Sequence, residues 1–131
     1  MARYKIINGF VFVSILYPFN KPDAIKVTSD YPVEKYIEYI NQNNIEKAEI
    51  ILEDISFLKK CPTLKYLKII PSSTAKNFDF SPLYELNTIK SLHCINVYGD
   101  KEQYISDIDF SKISGIENIS LSVNKGILNY E

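Results

Sequence analysis

Two hydrophobic periods alternate along this chain. Residues 4–7 are a short β-type run, and Phe10-Val-Phe-Val-Ser-Ile-Leu-Tyr17 is a longer one. Asn8-Gly9 lies between them and is the strongest two-residue hairpin signal, because both residue types tolerate the positive φ of a type I′ turn. Residues 18–22 begin and end on proline and read as a loop. Residues 25–29 are a candidate third strand. Pro32 suits a first helical turn, where its missing N–H leaves nothing unpaired. Val33, Tyr36, Ile37 and Ile40 then recur at i, i+3, i+4 and i+7, which makes one apolar helix face. The polar run Asn41-Gln-Asn-Asn44 predicts the end of that helix. Ala48, Ile50 and Leu52 next alternate with Glu49, Ile51 and Glu53, which is the strand period.

From residue 54 the pattern repeats. Asp54-Ile-Ser-Phe-Leu58-Lys-Lys-Cys61-Pro-Thr-Leu64, Asp79-Phe-Ser-Pro-Leu83-Tyr-Glu-Leu86-Asn-Thr-Ile89 and Asp109-Phe-Ser-Lys-Ile113-Ser-Gly-Ile116-Glu-Asn-Ile119 share D-[IF]-S-x-[LI]-x-x-[CLI]-x-x-[LI]. The copies begin 25 and 30 residues apart. A period in this range marks a solenoid, in which each unit buries its apolar side against its neighbours. Ser56, Ser81 and Ser111 are natural N-caps of a short helical turn. Leu58/Cys61, Leu83/Leu86 and Ile113/Ile116 lie three apart, so each pair faces one side of its turn. The chain then returns to strand pattern at residues 66–70, 91–95 and 120–124. The segments 48–52, 66–70, 91–95 and 120–124 are expected to be adjacent parallel strands.

A strand plus a helical turn in each repeat is the leucine-rich repeat plan. Asp79-Phe-Ser-Pro-Leu-Tyr-Glu-Leu-Asn-Thr-Ile-Lys-Ser-Leu-His-Cys94 resembles the repeat of bacterial internalin-type leucine-rich repeat proteins. The resemblance covers about residues 45–124. It implies a curved parallel sheet whose concave face binds protein. The chain also looks, more loosely, like leucine-rich repeat immunity partners of bacterial toxin systems. The expected fold is therefore α/β: a short leucine-rich-repeat solenoid with short helical turns on the convex side and an N-terminal hairpin-plus-helix cap. One domain is expected over residues 1–131, with the cap at 1–44, the repeats at 45–124 and a tail at 125–131.

Composition narrows the function classes. Fifteen Lys and Arg face sixteen Asp and Glu, for a net charge of −1. This leaves no basic excess to neutralise a phosphate backbone, so nucleic acid is not an expected partner. Arg3 and Lys5 precede the apolar run at 10–17, but Asn8-Gly9 interrupts it and no small-residue cleavage site follows before Lys21. The run is also too short to span a membrane as a helix. A cytoplasmic, monomeric protein without membrane attachment is expected. Cys61 and Cys94 fall on apolar repeat positions and read as small buried hydrophobes, with a disulfide or reactive thiol as the alternative. His93, the single histidine, has no companions at metal-ligand spacing and no nucleophile motif beside it. No metal, cofactor or catalytic residue is assigned.

The candidate site is a partner-binding surface. In a leucine-rich repeat strand, residues between the core positions point out on the concave face. Those positions give the expected rows Glu49–Tyr66–Ser91–Ser120, Ile51–Lys68–His93–Ser122 and Glu53–Ile70–Ile95–Asn124. The long acidic segment after the third strand is the other candidate, through Tyr98, Asp100, Glu102, Tyr104 and Asp107. The expected function is non-catalytic protein binding, most specifically as a bacterial immunity protein that neutralises a toxin domain. The alternative is a scaffold or regulatory repeat protein with another protein partner.

Overall fold

The structure is a computed structural model, and it describes residues 4–15, 21–71, 79–86, 88–96, 110–113 and 115–123. Among the described residues it is an α/β arrangement with one open seven-stranded sheet and one α-helix. The strands are β1 (Tyr4–Ile7), β2 (Phe10–Val13), β3 (Ala24–Val27), β4 (Lys47–Ile50), β5 (Tyr66–Ile69), β6 (Ser91–Asn96) and β7 (Asn118–Val123). Their order across the sheet is their order along the chain. β1, β2 and β3 pair antiparallel, and β3 through β7 pair parallel.

Connection chemistry accounts for this change of direction. Asn8 and Gly9 take φ of 55° and 85°, the left-handed pair that a two-residue hairpin needs. A parallel neighbour instead requires a crossover. The first crossover carries α1 (Val33–Gln42). The later ones carry short 3-10 turns at Ser56–Lys60, Ser81–Glu85 and Phe110–Lys112.

α1 starts directly after Pro32, as its pattern predicts, and runs two residues into the polar stretch expected to end it. Asn44, with φ of 50°, stops it in the left-handed region. Asn43 closes the last turn twice, through its backbone N–H and its side-chain amide, both donating to the Tyr39 carbonyl. The helix is then tied to the first turn, because Asn41 Nδ2 donates to the Lys60 carbonyl at 2.9 Å.

Alternation decides which sheet face is dry. Ile25, Val27, Ala48, Ile50, Leu67, Ile69, Leu92 and Cys94 are buried, and they pack in one cluster with Tyr36 and Ile40 of α1 and with Phe57, Leu58, Leu83 and Ile113 around the turns. Helix and turns therefore cover the same face of the sheet. At one end of this core Phe10 sits among Tyr31, Tyr36 and Tyr39 at centroid distances of 5.4, 5.5 and 4.3 Å. The Tyr31 hydroxyl donates to the Gly9 carbonyl at 2.8 Å. Tyr31, Tyr36 and Tyr39 are thus engaged in holding the hairpin against the helix.

The parallel strands share a recurring bonding scheme. The N–H groups of Lys65 and Tyr66 both donate to the Glu46 carbonyl, those of Lys90 and Ser91 to Lys65, and those of Glu117 and Asn118 to Lys90. Thr63 Oγ1 donates to the Ile45 carbonyl and Thr88 Oγ1 to Leu64, at 2.7 and 2.9 Å. The starts of β5, β6 and β7 are each locked to the strand before by the same backbone groups, and the threonine bond recurs at the first two.

The turns differ from expectation in their capping atom. Ser56 and Ser81 are first residues of their turns, and neither turn has a side-chain cap from the residue preceding it. The acceptor comes from the aspartate two residues earlier. Asp54 Oδ1 accepts the Ser56 N–H at 2.7 Å and also the Ser56 hydroxyl, and Asp79 Oδ1 accepts the Ser81 N–H at 2.9 Å. With the serine as first residue of the turn, its own N–H is one of the free donors, and the carboxylate two residues earlier is a strong acceptor placed to take it. Asp109 lies outside the described residues.

Candidate functional site

The sheet face opposite the helix and turns carries the candidate binding residues, and the register fixes which stand side by side. One row is Lys47–Tyr66–Ser91–Asn118. The next is Lys26–Glu49–Lys68–His93–Ser120. The expected rows were staggered differently, since Glu49 stands beside Lys68 and not beside Tyr66, and His93 beside Ser120. The cause is where the strands begin. β4 starts at Lys47, three residues after the helix terminator Asn44, and β7 starts at Asn118, which moves both by one side-chain pair against the two strands between them.

Charges on this face are mostly internally balanced. Lys68 Nζ lies 3.4 Å from Glu49 Oε2, and Lys47 Nζ lies 2.7 Å from Asp23 Oδ2. Glu49 is 9% exposed and is the one buried charged residue among those described. Lys47 also stands 5.8 Å over the half-buried Tyr66 ring. Burial pushes the His93 imidazole below its ordinary value of 6.5, and the neighbouring Lys68 charge pushes it the same way, so His93 is neutral at neutral pH. Lys26 and Lys47 belong to this face, although the sequence reading left Lys26 in the cap region and named neither as a site residue. The signal was there in Ile25-Lys26-Val27, where a lone cation alternates with two core residues.

The remaining predicted positions separate. Ile51 and Glu53 follow the end of β4 and line a cavity of about 340 Å³ with Ser29, Val33, Leu52, Asp54, Ser56 and Phe57. Ile70 follows β5 and donates its N–H to the Ile50 carbonyl. Ile95 lies in β6, in register with Ser122. Tyr98, Asp100, Glu102, Tyr104 and Asp107 lie outside the described residues, as does Asn124. The structure therefore brings Glu49, Tyr66, Lys68, Ser91 and His93 together on adjacent strands and sets Ile51 and Glu53 apart at the strand ends.

Asp54 is the best-defined carboxylate near that cavity. The Ser56 hydroxyl and then the Ser56 N–H hold its pKa below 3.8, against a slight rise from burial. Asp54→Ala is expected to cost ~1 kcal/mol, the usual loss of a cap, and Asp54→Asn to restore most of it. Urea unfolding at neutral pH reads this difference. The contribution of the charge is present above pH 3.8 and is lost as pH falls through the lowered folded value.

No helix among the described residues is long and apolar enough to cross a membrane. No family model, curated protein or solved structure matches this chain.

Proposed function

We propose that this chain is a non-catalytic protein-binding module built as a short leucine-rich-repeat solenoid, and specifically a bacterial immunity protein that binds and neutralises a toxin domain. The open sheet face is its contact surface. One observation carries this reading: every parallel crossover with described residues packs on one face, leaving Tyr66, Ser91 and His93 side by side on the other, flanked by paired charges. The recurring Asp–Ser turns and the repeated carbonyl acceptors at the strand starts support the repeat assignment. A rigid aromatic framed by polar groups is the usual form of an interface hot spot.

The test pairs Tyr66→Ala with Ser91→Arg, which removes the aromatic and plants a bulky charge beside it. Lys68 is left in place, because its loss would strand the nearly buried Glu49 carboxylate. Calorimetric titration with a toxin domain encoded beside this gene is expected to show at least a roughly tenfold loss of affinity. Stability should change by no more than about 0.5 kcal/mol for each substitution. Unchanged affinity would move the contact off this face.

A further inference from the structure

The geometry points to a second recognition element, a pocket for a basic side chain of a protein partner at the carboxyl ends of β3 and β4. It rests on the protein-binding reading but not on the open face, and it can fail separately. The cavity of about 340 Å³ is large enough for one long side chain. Its walls combine two kinds of surface. Val33, Leu52 and Phe57 are apolar and suit a methylene stem, while Glu53 and Asp54 are exposed acids that suit a cationic head.

Asp54 is oriented for this role. Both donors from Ser56 fall on Oδ1, which fixes the carboxylate and leaves Oδ2 without a hydrogen bond among the described residues. A guanidinium or ammonium arriving along the apolar wall meets an ionised acceptor that needs no reordering. The start of α1 also borders the cavity at Val33 and would favour an anion. Its partial charge of about +0.5 is outweighed by the full negative charge of Asp54, so the pocket selects cations.

The probe is N-acetyl-L-arginine amide, titrated into the full chain and followed by ¹H–¹⁵N correlation spectra. Saturable shifts are expected at the amides of Ser29, Val33, Leu52, Glu53 and Phe57. The blocked citrulline analogue, equal in shape but uncharged, should produce none there. Glu53→Gln with Asp54→Asn should weaken the arginine probe roughly tenfold, and the dispersion of its spectrum reports that the chain remains folded. Equal shifts from citrulline, shifts scattered over the surface, or no saturable change in wild-type protein would each overturn the pocket assignment. The open-face proposal would survive any of these outcomes, since its own test reads positions 66 and 91.

Discussion

Leu67→Ala and Leu92→Ala are each expected to lower the unfolding free energy by ~2–5 kcal/mol, the range for a buried leucine replaced by alanine. The two residues are 2% and 1% exposed and stand directly opposite one another in the β5–β6 ladder. Each lies in the shared cluster with the turn residues Leu58 and Leu83, so truncation opens space between the sheet and the layer that covers it. Strands of four and six residues have little other means of staying in register. Because the two side chains are neighbours, the double variant should depart from the sum of the singles. Urea unfolding with an unchanged m-value is the measurement, and a loss below ~1 kcal/mol for either variant would place that leucine outside the core.

Alkaline pH should unfold this protein through its thiols. Cys61 and Cys94 are both buried and free. Burial pushes their pKa values up to about 11 and about 12, from 9.0 in water. The sign follows from which state releases its proton first. As pH rises above 9.0 the unfolded chain ionises while the folded chain stays protonated, so stability falls until the folded thiols themselves ionise. Cys94 is in the interior of the sheet at 0% exposure, and its share is roughly 1.4 kcal/mol per pH unit across that window. Cys94→Ala is expected to cost about 1 kcal/mol at neutral pH through the small cavity it leaves. Relative to wild type, it should then lose less stability between pH 9 and pH 11. Parallel stability–pH curves for the two proteins would show that Cys94 carries no such linkage.

Much of the architecture was legible because it is written in local chemistry. Asn8-Gly9 announced the hairpin, the spacing of Val33, Tyr36, Ile37 and Ile40 announced the helix, and the recurring aspartate motif placed parallel strands after each turn. Register was harder to read. Parallel pairing depends on where each strand starts, and the start of β4 is set by Asn44 ending the helix, outside the repeat altogether. The repeat pattern aligned Glu49 with Tyr66, whereas the ladder aligns it with Lys68. Two roles were hidden by the choice of atom. The motif shows both an aspartate and a serine, and only geometry shows that the aspartate accepts and the serine donates. Thr63 and Thr88 likewise recur in the sequence, but their bonds to carbonyls of the preceding strand start are a tertiary fact. The candidate site was half legible for the same reason. Period-two alternation identified the exposed residues, but it could not choose their neighbours or add Lys26, from outside the repeats, and Lys47, one residue before the expected strand.

Photo-crosslinking in the native host tests the open-face proposal most directly, since it reports the surface and captures the partner in one measurement. A benzophenone side chain would be placed singly at positions 66 and 91 on the open face, and at positions 59 and 85 on the turns. If the open face binds protein, positions 66 and 91 should each crosslink to the same partner, identifiable by mass spectrometry as a toxin domain. Positions 59 and 85 should give little product. Crosslinks to that partner from 59 and 85 with none from 66 and 91 would contradict the proposal and place the contact on the turn side.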